Sequence, residues 1–474
     1  MKKVILLALD DRPCSYKYFN YICLAFGIQH SICYSYNELL KHKNAFDTCF
    51  IISLDNFLFD GIVNSRNLEV LKSKRIFERL KCLLDFIDQT RKCDFYIYSS
   101  IPRILLNFGA NLEKIIQTNK VWYEKFCQFA HNLLDAYERY NEFDNDIEKY
   151  IFLVRKTKLE IIEYFLSSLS KMDALNVMKQ VKEILLCIDD SQIRGLNFLE
   201  ANYLLHKYDQ RGKYRLSFLI GLDEIHLLIL SKVVLTETKS DIKKLPIFYS
   251  PNFSNKISIY EGEKVDKVIE RYEEYLGVKF SKDDDSQFFW KLFRGKYQKE
   301  SMVQVIKFRI FQKFIEYFCD LKVVDLIPKS FNHFIDTSFA NGVSLKTLKF
   351  FLANWNRLLS MNSFWGWNTL ANTLGSGISF YVISQIIPIK RQYYCSKLTV
   401  ENFFESLYQT TIRYFAKREN WTVEKINQAF KLILNKFDID VEIDLRLPWN
   451  RYFEIDVNYK GKGNEVWNYV RDEY

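Results

Sequence analysis

Short apolar runs that end at acidic or other polar residues recur along this chain, and each is followed by turn residues and a helix-like pattern. Examples are KVILLALDDRP at 3–13, EILLCIDDSQ at 183–192 and RLSFLIGLDE at 215–224. Because the runs are continuous rather than alternating, they are typical of strands buried on both faces, as in parallel sheets. The pattern predicts an α/β fold with a mostly parallel sheet, closed as a (β/α)8-like barrel, with two doubly wound α/β domains as the alternative.

The same periodicity divides the chain into three parts. Residues 1–240 are predicted as an N-terminal α/β half, with a charged, helix-like insertion at about 107–181. Residues 241–395 are predicted as a second α/β half. In 396–474, helical periodicity gives way to the alternating stretch VEIDLRLPWNRYFEIDVNY, so we expect a small C-terminal α+β extension that ends in a hairpin.

Acidic residues directly follow several of the predicted strands. They are Asp10 and Asp11, Asp55, Asp189 and Asp190, and Asp223 and Glu224, with the basic residues Arg12 and Arg66 near them in sequence. One acid after a strand commonly caps the next helix, but a cap needs a single side chain and three of these groups are adjacent pairs. Because loops at the carboxyl ends of parallel strands converge, we expect the groups to form one polar site.

Crowded carboxyl groups can divide into a proton donor and an anion that acts as a base or stabilises positive charge, because like charges repel. Glycoside cleavage requires both roles. We therefore predict Asp189 and Asp190 as the catalytic acid and the orienting carboxylate, with Glu224 as the alternative acid. The residues predicted to bind hydroxyl or anionic groups of the substrate are Asp10, Asp11, Arg12, Asp55, Arg66 and Asp223.

A second unusual stretch is SFWGWNTLANTLGSG at 363–377. Tryptophan faces stack on sugar rings, and asparagine amides both donate and accept hydrogen bonds. Trp367, Asn368 and Asn372 are therefore predicted to hold a sugar, together with Asn341 of the upstream stretch DTSFANG. A buried tryptophan pair with Asn368 as a helix cap is an equally open interpretation.

Composition narrows the class of protein. The 474 residues are 48% apolar, and 67 basic against 58 acidic residues give a net charge of +9 without a dense basic tract, so no nucleic acid partner is expected. The ten cysteines form no paired C-x-x-C motif, which indicates a reducing compartment rather than a zinc site.

No apolar run approaches the roughly 20 residues of a membrane span, and the run before Asp10 is too short for a secretory signal. We expect a soluble cytoplasmic protein with no membrane partner and no cofactor.

Seven motifs in this sequence resemble a bacterial family of proteins of unknown function, DUF4127. They are LDDRP, SLDNFLFDGIVNSR, DDSQIRG, GLDE, FANG, GWNTLANTLG and LPWNRYFE, and they span nearly the whole chain. Two positions depart from the family pattern: Asp60 replaces the first glycine of a Gly-Gly pair, and Ser344 stands where an acid follows Asn-Gly. The resemblance implies a shared site but no activity.

These residues predict a glycoside hydrolase-like enzyme that acts on a small-molecule carbohydrate, with an N-acetylated amino sugar as one candidate. The acid pairs at strand ends are similar to those of hexosaminidases that use the substrate's own acetamido group. Two alternatives remain open. One is a divalent-metal hydrolase that uses the same acids, with His226 as a further ligand, and the other is a non-catalytic ligand-binding protein.

Overall fold

The chain folds into two compact units. The computed structural model describes residues 1–90, 92–101, 137, 146–172, 180–188, 196–208, 215–250, 255–261, 263–323 and 331–461. The first unit comprises Met1–Asn20, Ile28–Thr238 and Tyr260–Glu263, and the second comprises Tyr21–Gly27, Lys239–Ile259 and Lys264–Tyr474.

The first unit contains a six-stranded sheet. Its strands are β1 (Lys3–Leu7), β2 (His30–Cys33), β3 (Thr48–Ser53), β4 (Asp94–Ile101), β5 (Val181–Ile188) and β6 (Arg215–Ile220). The helices that accompany them in sequence are α1 (Pro13–Phe26), α2 (Tyr36–Leu40), α3 (Leu54–Phe59), α4 (Leu68–Leu71), α5 (Arg75–Gln89), α6 (Asp146–Lys171), α7 (Leu196–Tyr208) and α8 (Ile225–Glu237).

The strand order of this sheet is β2-β1-β3-β4-β5-β6, and every neighbouring pair is parallel. Leu7 at the end of β1 lies opposite Cys33 of β2 and Ile52 of β3. All six residues of β3 are buried, which explains why its sequence is a continuous apolar run. The chain leaves β1 toward β2 on one side and then returns to β3 on the other, which makes the carboxyl edge between β1 and β3 a topological switch point.

The second unit contains a five-stranded parallel sheet and a hairpin. The sheet strands are β7 (Lys244–Ser250), β8 (Lys279–Lys282), β9 (Phe288–Leu292), β10 (His333–Thr337) and β11 (Ser363–Trp365), and the antiparallel hairpin is β12 (Glu442–Arg446) and β13 (Asp456–Gly461). The helices are α9 (Val265–Leu276), α10 (Phe311–Asp320), α11 (Leu345–Ala353), α12 (Trp355–Ser360), α13 (Leu370–Ile386), α14 (Gln392–Leu407), α15 (Arg413–Glu419) and α16 (Val423–Asn435).

The two sheets share one topology that the sequence does not reveal as a repeat. The order in the second unit is β11-β10-β9-β7-β8, again with parallel neighbours. Counted from the first strand of each unit, both sheets therefore begin 2-1-3-4-5, the strand order of a common class of doubly wound folds. Each unit thus has its own switch point.

The predicted α/β class with mostly parallel sheets is confirmed. The predicted helical insertion is represented by α6, and the C-terminal α+β extension ends in the β12–β13 hairpin. Closure into a barrel is not confirmed: the described parallel strands form two separate sheets, of six and of five strands. Among the described residues, no helix combines the length and apolar character that crossing a membrane requires.

Close packing in the second unit depends on two glycines. A Cβ atom on Gly366 would lie 2.2 Å from Cγ1 of Val343, and one on Gly377 would lie 2.2 Å from Cδ1 of Ile335. Gly377 lies in α13, which packs on β10, so the missing side chain lets the helix approach the strand closely. Two glycines of the GWNTLANTLGSG stretch, Gly366 and Gly377, therefore have a packing role.

Acid should destabilise the second unit through His333, at the start of β10. Burial lowers the pKa of His333 to about 3, whereas the unfolded chain takes up this proton near pH 6.5. Stability is therefore fully retained above pH 6.5 and falls between pH 6.5 and about 3 by up to about 1.4 kcal/mol per pH unit. Urea unfolding of the wild type and of His333→Gln at pH 7.5 and pH 5 measures this slope. We expect the advantage of the wild type to shrink by about 2 kcal/mol at pH 5, and parallel pH profiles would contradict it.

Candidate functional site

Arg12 joins two acidic loops at the carboxyl edge of the first unit's sheet. Its Nε atom donates to both oxygens of Asp10, at 3.1 and 3.0 Å. Its Nη2 atom lies 2.8 Å from Oδ1 of Asp223 and 2.9 Å from Oδ2 of Asp10. Ser15 also donates to Asp10, at 2.6 Å. The two aspartate side chains thus surround one guanidinium group, a charge-assisted arrangement that fixes the position of Arg12.

The return path of α8 explains why Asp223 reaches Arg12 although β1 and β6 are not neighbours in the sheet. From the end of β6, α8 packs against β3, and His226 near its start lies 6.1 Å from the ring of Phe19 in α1. At the other end of α8, Glu237 accepts from the backbone of Lys2, next to the start of β1. α8 therefore runs antiparallel to β1, and its first turn lies at the carboxyl end of that strand.

The residues around Asp223 are buried. Glu224 has no exposed area and occupies the N-cap position of α8 without capping it through its side chain. Gly221 adopts a φ of 104°, and a Cβ atom there would lie 2.0 Å from Oε1 of Glu224. Only a glycine therefore leaves room for this carboxyl group. Burial lowers the pKa of His226 to about 3, against an opposing effect of Asp10, so this imidazole is neutral at pH 7.

A second buried group follows β3. Asp55 has no exposed area; it accepts from the backbone and side chain of Ser100, at 2.6 and 2.9 Å, and from Lys158. Lys158, in α6, also donates to Ser100 and Ser65, at 2.6 and 3.1 Å. Burial by itself raises the pKa of Asp55, but the charge of Lys158 and these hydrogen bonds outweigh it, so that the pKa lies below its ordinary value. Asp55 is therefore an anion that holds Lys158, rather than a group open to solvent.

Local capping places Asp55 at this position. Ser53 at the end of β3 accepts from the backbone of Asn56, so the strand turns directly into α3. The side-chain amide of Asn56 donates to the carbonyl of Ala8, at 2.6 Å, and thereby joins the loop after β3 to the end of β1. The loops that carry Asp10 and Asp55 are thus connected through one asparagine.

Asp60 ends α3 in the left-handed conformation, with a φ of 58°. This backbone geometry explains why the family pattern has glycine there. In this chain the aspartate carboxylate forms ion pairs with Arg75 and with Arg79, the latter at 2.9 Å. The departure from the family pattern therefore keeps the turn and adds two ionic contacts.

The remaining predicted residues of the first unit are Arg66, Asp11 and the Asp189–Asp190 pair. Arg66 is buried at the end of a short 3-10 helix, Asn64–Arg66, whereas Asp11 is exposed. Asp189 and Asp190 lie outside the described residues. The residue before them is described, however: the carbonyl of Ile188 accepts from the backbone of Gly221, at 3.0 Å. The chain that enters the Asp189–Asp190 pair is therefore anchored to the loop that carries Glu224.

The second unit has a comparable buried acid. Asp336, at the end of β10, has no exposed area and accepts from Thr347, at 2.5 Å, and from Lys291 of β9, at 3.3 Å. Lys291 also donates to Ser344, at 2.7 Å, and Ser344 caps α11 through the backbone of Thr347. Where the family pattern has an acid, Ser344 therefore serves as a helix cap and as an acceptor for Lys291. Sequence patterns alone did not single out Lys158 or Lys291.

The predicted sugar-holding residues all lie in the second unit. Asn341 has a φ of 52°; its backbone donates to the carbonyl of Asn368 at 3.2 Å, and its side chain donates to Glu300 at 3.1 Å. Trp367 and Asn368 are buried, whereas Asn372 is half-buried. The Asn368 side chain accepts from the backbone of Thr369, which is the N-cap residue of α13. The structure therefore brings Asn341 and Asn368 together in a close turn.

The part of the chain that the structure describes contains no cluster of side chains that could hold a metal ion. No three His, Cys, Asp or Glu side chains are grouped there as ligands would be. His226 has a hydrophobic neighbour in Phe19 and no described hydrogen-bond partner for its Nε2 atom. Four described acids at strand ends, Asp10, Asp55, Asp223 and Asp336, instead pair with Arg12, Lys158 or Lys291.

Comparison with known proteins gives one match. The pattern that defines the family "Protein of unknown function (DUF4127)" matches residues 4–458, nearly the whole chain. No curated protein and no solved structure matches significantly.

Replacing Asp55 by Asn should destabilise the first unit, because it leaves the buried charge of Lys158 without its partner. We expect the free energy of unfolding, measured by urea denaturation, to fall by about 3–5 kcal/mol at pH 7. Since the folded pKa of Asp55 is lowered, the contribution of the pair is present above the ordinary pKa of about 4 and is lost as the pH falls through the folded value.

The matched control is Glu270→Gln, which breaks an exposed ion pair with Lys267. This change should cost less than about 0.5 kcal/mol. Equal effects of the two substitutions would contradict a special role for the buried pair.

Proposed function

We propose that this chain, which belongs to the DUF4127 family, is a glycoside hydrolase-like enzyme that acts on a carbohydrate. The observation that carries the proposal is that one loop supplies acids in two different environments. Asp223 forms an ion pair with Arg12, while its neighbour Glu224 is fully buried over Gly221. Burial disfavours the charged form of a carboxyl group, and acid/base cleavage of a glycoside needs a proton donor beside an anion.

The hydrogen bond between Gly221 and Ile188 supports a shared site for Glu224 and the Asp189–Asp190 pair. Neighbouring parallel strands are about 4.8 Å apart, so the residues that follow β5 and β6 start from adjacent positions at one edge of the sheet. We assign Asp189 and Asp190 the roles of acid and orienting carboxylate, and Glu224 the role of alternative acid. An acetamido group of an amino sugar is the substituent that an orienting carboxylate would hold.

Arg12 is the substrate-binding group that the geometry supports best in the first unit. Asp10 and Asp223 hold its guanidinium at the edge of the sheet, where hydroxyl oxygens of a sugar are suitable acceptors. Asp10 uses both oxygens on Arg12 and Ser15, so we assign it a positioning role. Asp55 likewise positions Lys158 from within the protein.

The predicted residues of the second unit receive no role in bond cleavage. Asn372 is half-buried and is the best placed of them to contact a ligand, whereas the burial of Trp367 and Asn368 favours packing and turn formation. Their assignment to sugar binding stays a prediction.

A panel of aryl glycosides, including N-acetylated amino sugars, tests the activity. We expect the wild type to hydrolyse at least one of them, and Glu224→Gln or Asp190→Asn to lower kcat by about 10²–10⁴ for the residue that is the acid. Absence of turnover across the panel, with sugar binding unchanged in Asp190→Asn, would contradict the proposal. Loss of turnover with a chelator would instead favour the metal-dependent alternative.

Gly221→Ala tests whether the position of Glu224 matters. The new methyl group would overlap Oε1 of Glu224, so we expect kcat to fall by about 10²-fold while the protein remains folded by circular dichroism. Gly277→Ala is the matched control, because Gly277 also has a positive φ, of 72°, but has no atom within 4 Å of the added Cβ. If both variants lose the same activity, displacement of Glu224 is not the cause.

A further inference from the structure

Residues 302–313 in the second unit present an unusual combination of exposed side chains. Val303, Ile306 and Ile310 are 43%, 52% and 54% exposed. Between and beside them, Lys307, Arg309 and Lys313 are also exposed. We call these six residues the basic-aliphatic ridge. The stretch contains no acidic residue, so its exposed charges are all positive.

The ridge is held firmly rather than loosely attached. Val305 is fully buried, and the ring of Phe308 packs on that of Phe314, with their centroids 5.5 Å apart. Tyr414 donates to the carbonyl of Ile306 at 3.4 Å, and Arg418 donates to the carbonyl of Phe308 at 3.3 Å. Because every third or fourth side chain anchors the stretch to the core, the intervening aliphatic side chains are presented outward by a fixed backbone.

Single exposed hydrophobic residues are ordinary on protein surfaces, but a cluster of them with one sign of charge indicates a binding surface. Positive charge extends along the same run of chain through exposed Arg294, Lys296 and Lys299. The acid within that run, Glu300, is partly buried and accepts from Asn341. The charge complement of this surface is therefore an anionic partner.

We propose that the basic-aliphatic ridge binds the surface of a membrane that contains anionic lipids. Isoleucine and valine side chains can enter the boundary between headgroups and acyl chains, while lysine and arginine interact with the lipid phosphates and carboxylates. Nucleic acid binding would use aromatic side chains for stacking on bases; the exposed apolar side chains within residues 302–313 are aliphatic, although Tyr297 of the neighbouring basic run is also exposed. The expectation of no membrane partner came from the lack of a spanning segment, and peripheral binding needs none.

Co-sedimentation of the full chain with vesicles tests this surface. Vesicles of phosphatidylcholine with about one third phosphatidylserine should bind the protein, and pure phosphatidylcholine vesicles should not. Binding should weaken as salt is raised, because screening reduces the attraction between exposed charges. Absence of sedimentation with the anionic vesicles at low salt would overturn the proposal without any variant.

Two double variants separate the aliphatic and the basic contributions. Ile306→Ser with Ile310→Ser should weaken vesicle binding at least about tenfold. Lys307→Glu with Arg309→Glu should weaken it at least about 25-fold, from about fivefold for each basic residue. Circular dichroism confirms that each variant is folded.

Matched controls lie in the first unit. Phe46→Ser removes a hydrophobic side chain that is 63% exposed, and Lys72→Glu with Lys81→Glu makes the same change in net charge at exposed positions. Neither control should change vesicle binding by more than about twofold. Equal losses in the controls, or ridge-dependent binding to soluble polyglutamate but not to vesicles, would overturn the lipid assignment. None of these outcomes depends on the proposed glycosidase activity.

Discussion

The ion pair between Lys158 and Asp55 is the contact on which the arrangement of the first unit most depends. It joins α6, from the helical insertion, to the first turn of α3, across 103 positions of sequence. One turn earlier on α6, Arg155 forms a second buried ion pair with Glu200 of α7, the helix that follows the Asp189–Asp190 motif. A single helix therefore fixes two of the elements that border the acidic edge of the sheet. Buried ion pairs are costly to break, because removal of one partner leaves the other charge uncompensated.

Both units stabilise an acidic side chain at the end of a buried strand in the same way. In each, an aspartate with no exposed area lies at the end of a strand or directly after it, pairs with a lysine and receives hydrogen bonds from hydroxyl groups: Asp55 with Lys158 in the first unit, and Asp336 with Lys291 in the second. In the first unit, two further acids after strands, Asp10 and Asp223, both pair with Arg12. The buried pairs thus rigidify the edge of each sheet.

Several elements could be predicted from local pattern, and others could not. The runs that became β1, β3 and β5 are recognisable because almost all of their side chains are buried, so continuous apolar sequence follows from their position in a parallel sheet. The short strands β2 (HSIC) and β8 (KFSK) were not recognised, because their side chains are mostly half-exposed or exposed and carry no apolar run. Lys158 stands in a charged helical sequence where a lysine normally faces water, and nothing nearby in sequence marks it as buried.

The sequence by itself determined the α/β class, the family and the positions of acids after strands, because burial in a parallel sheet and capping of the next helix act over a few neighbouring residues. Only the tertiary structure decided which charges meet. Asp223 contacts Arg12 because α8 returns antiparallel to β1, and Asp55 contacts Lys158 because α6 packs on the short helices Asn64–Arg66 and α4 that follow α3. Such pairings depend on how helices cross a sheet, and the residues that form them are separated by 211 and 103 positions, beyond the reach of any local pattern.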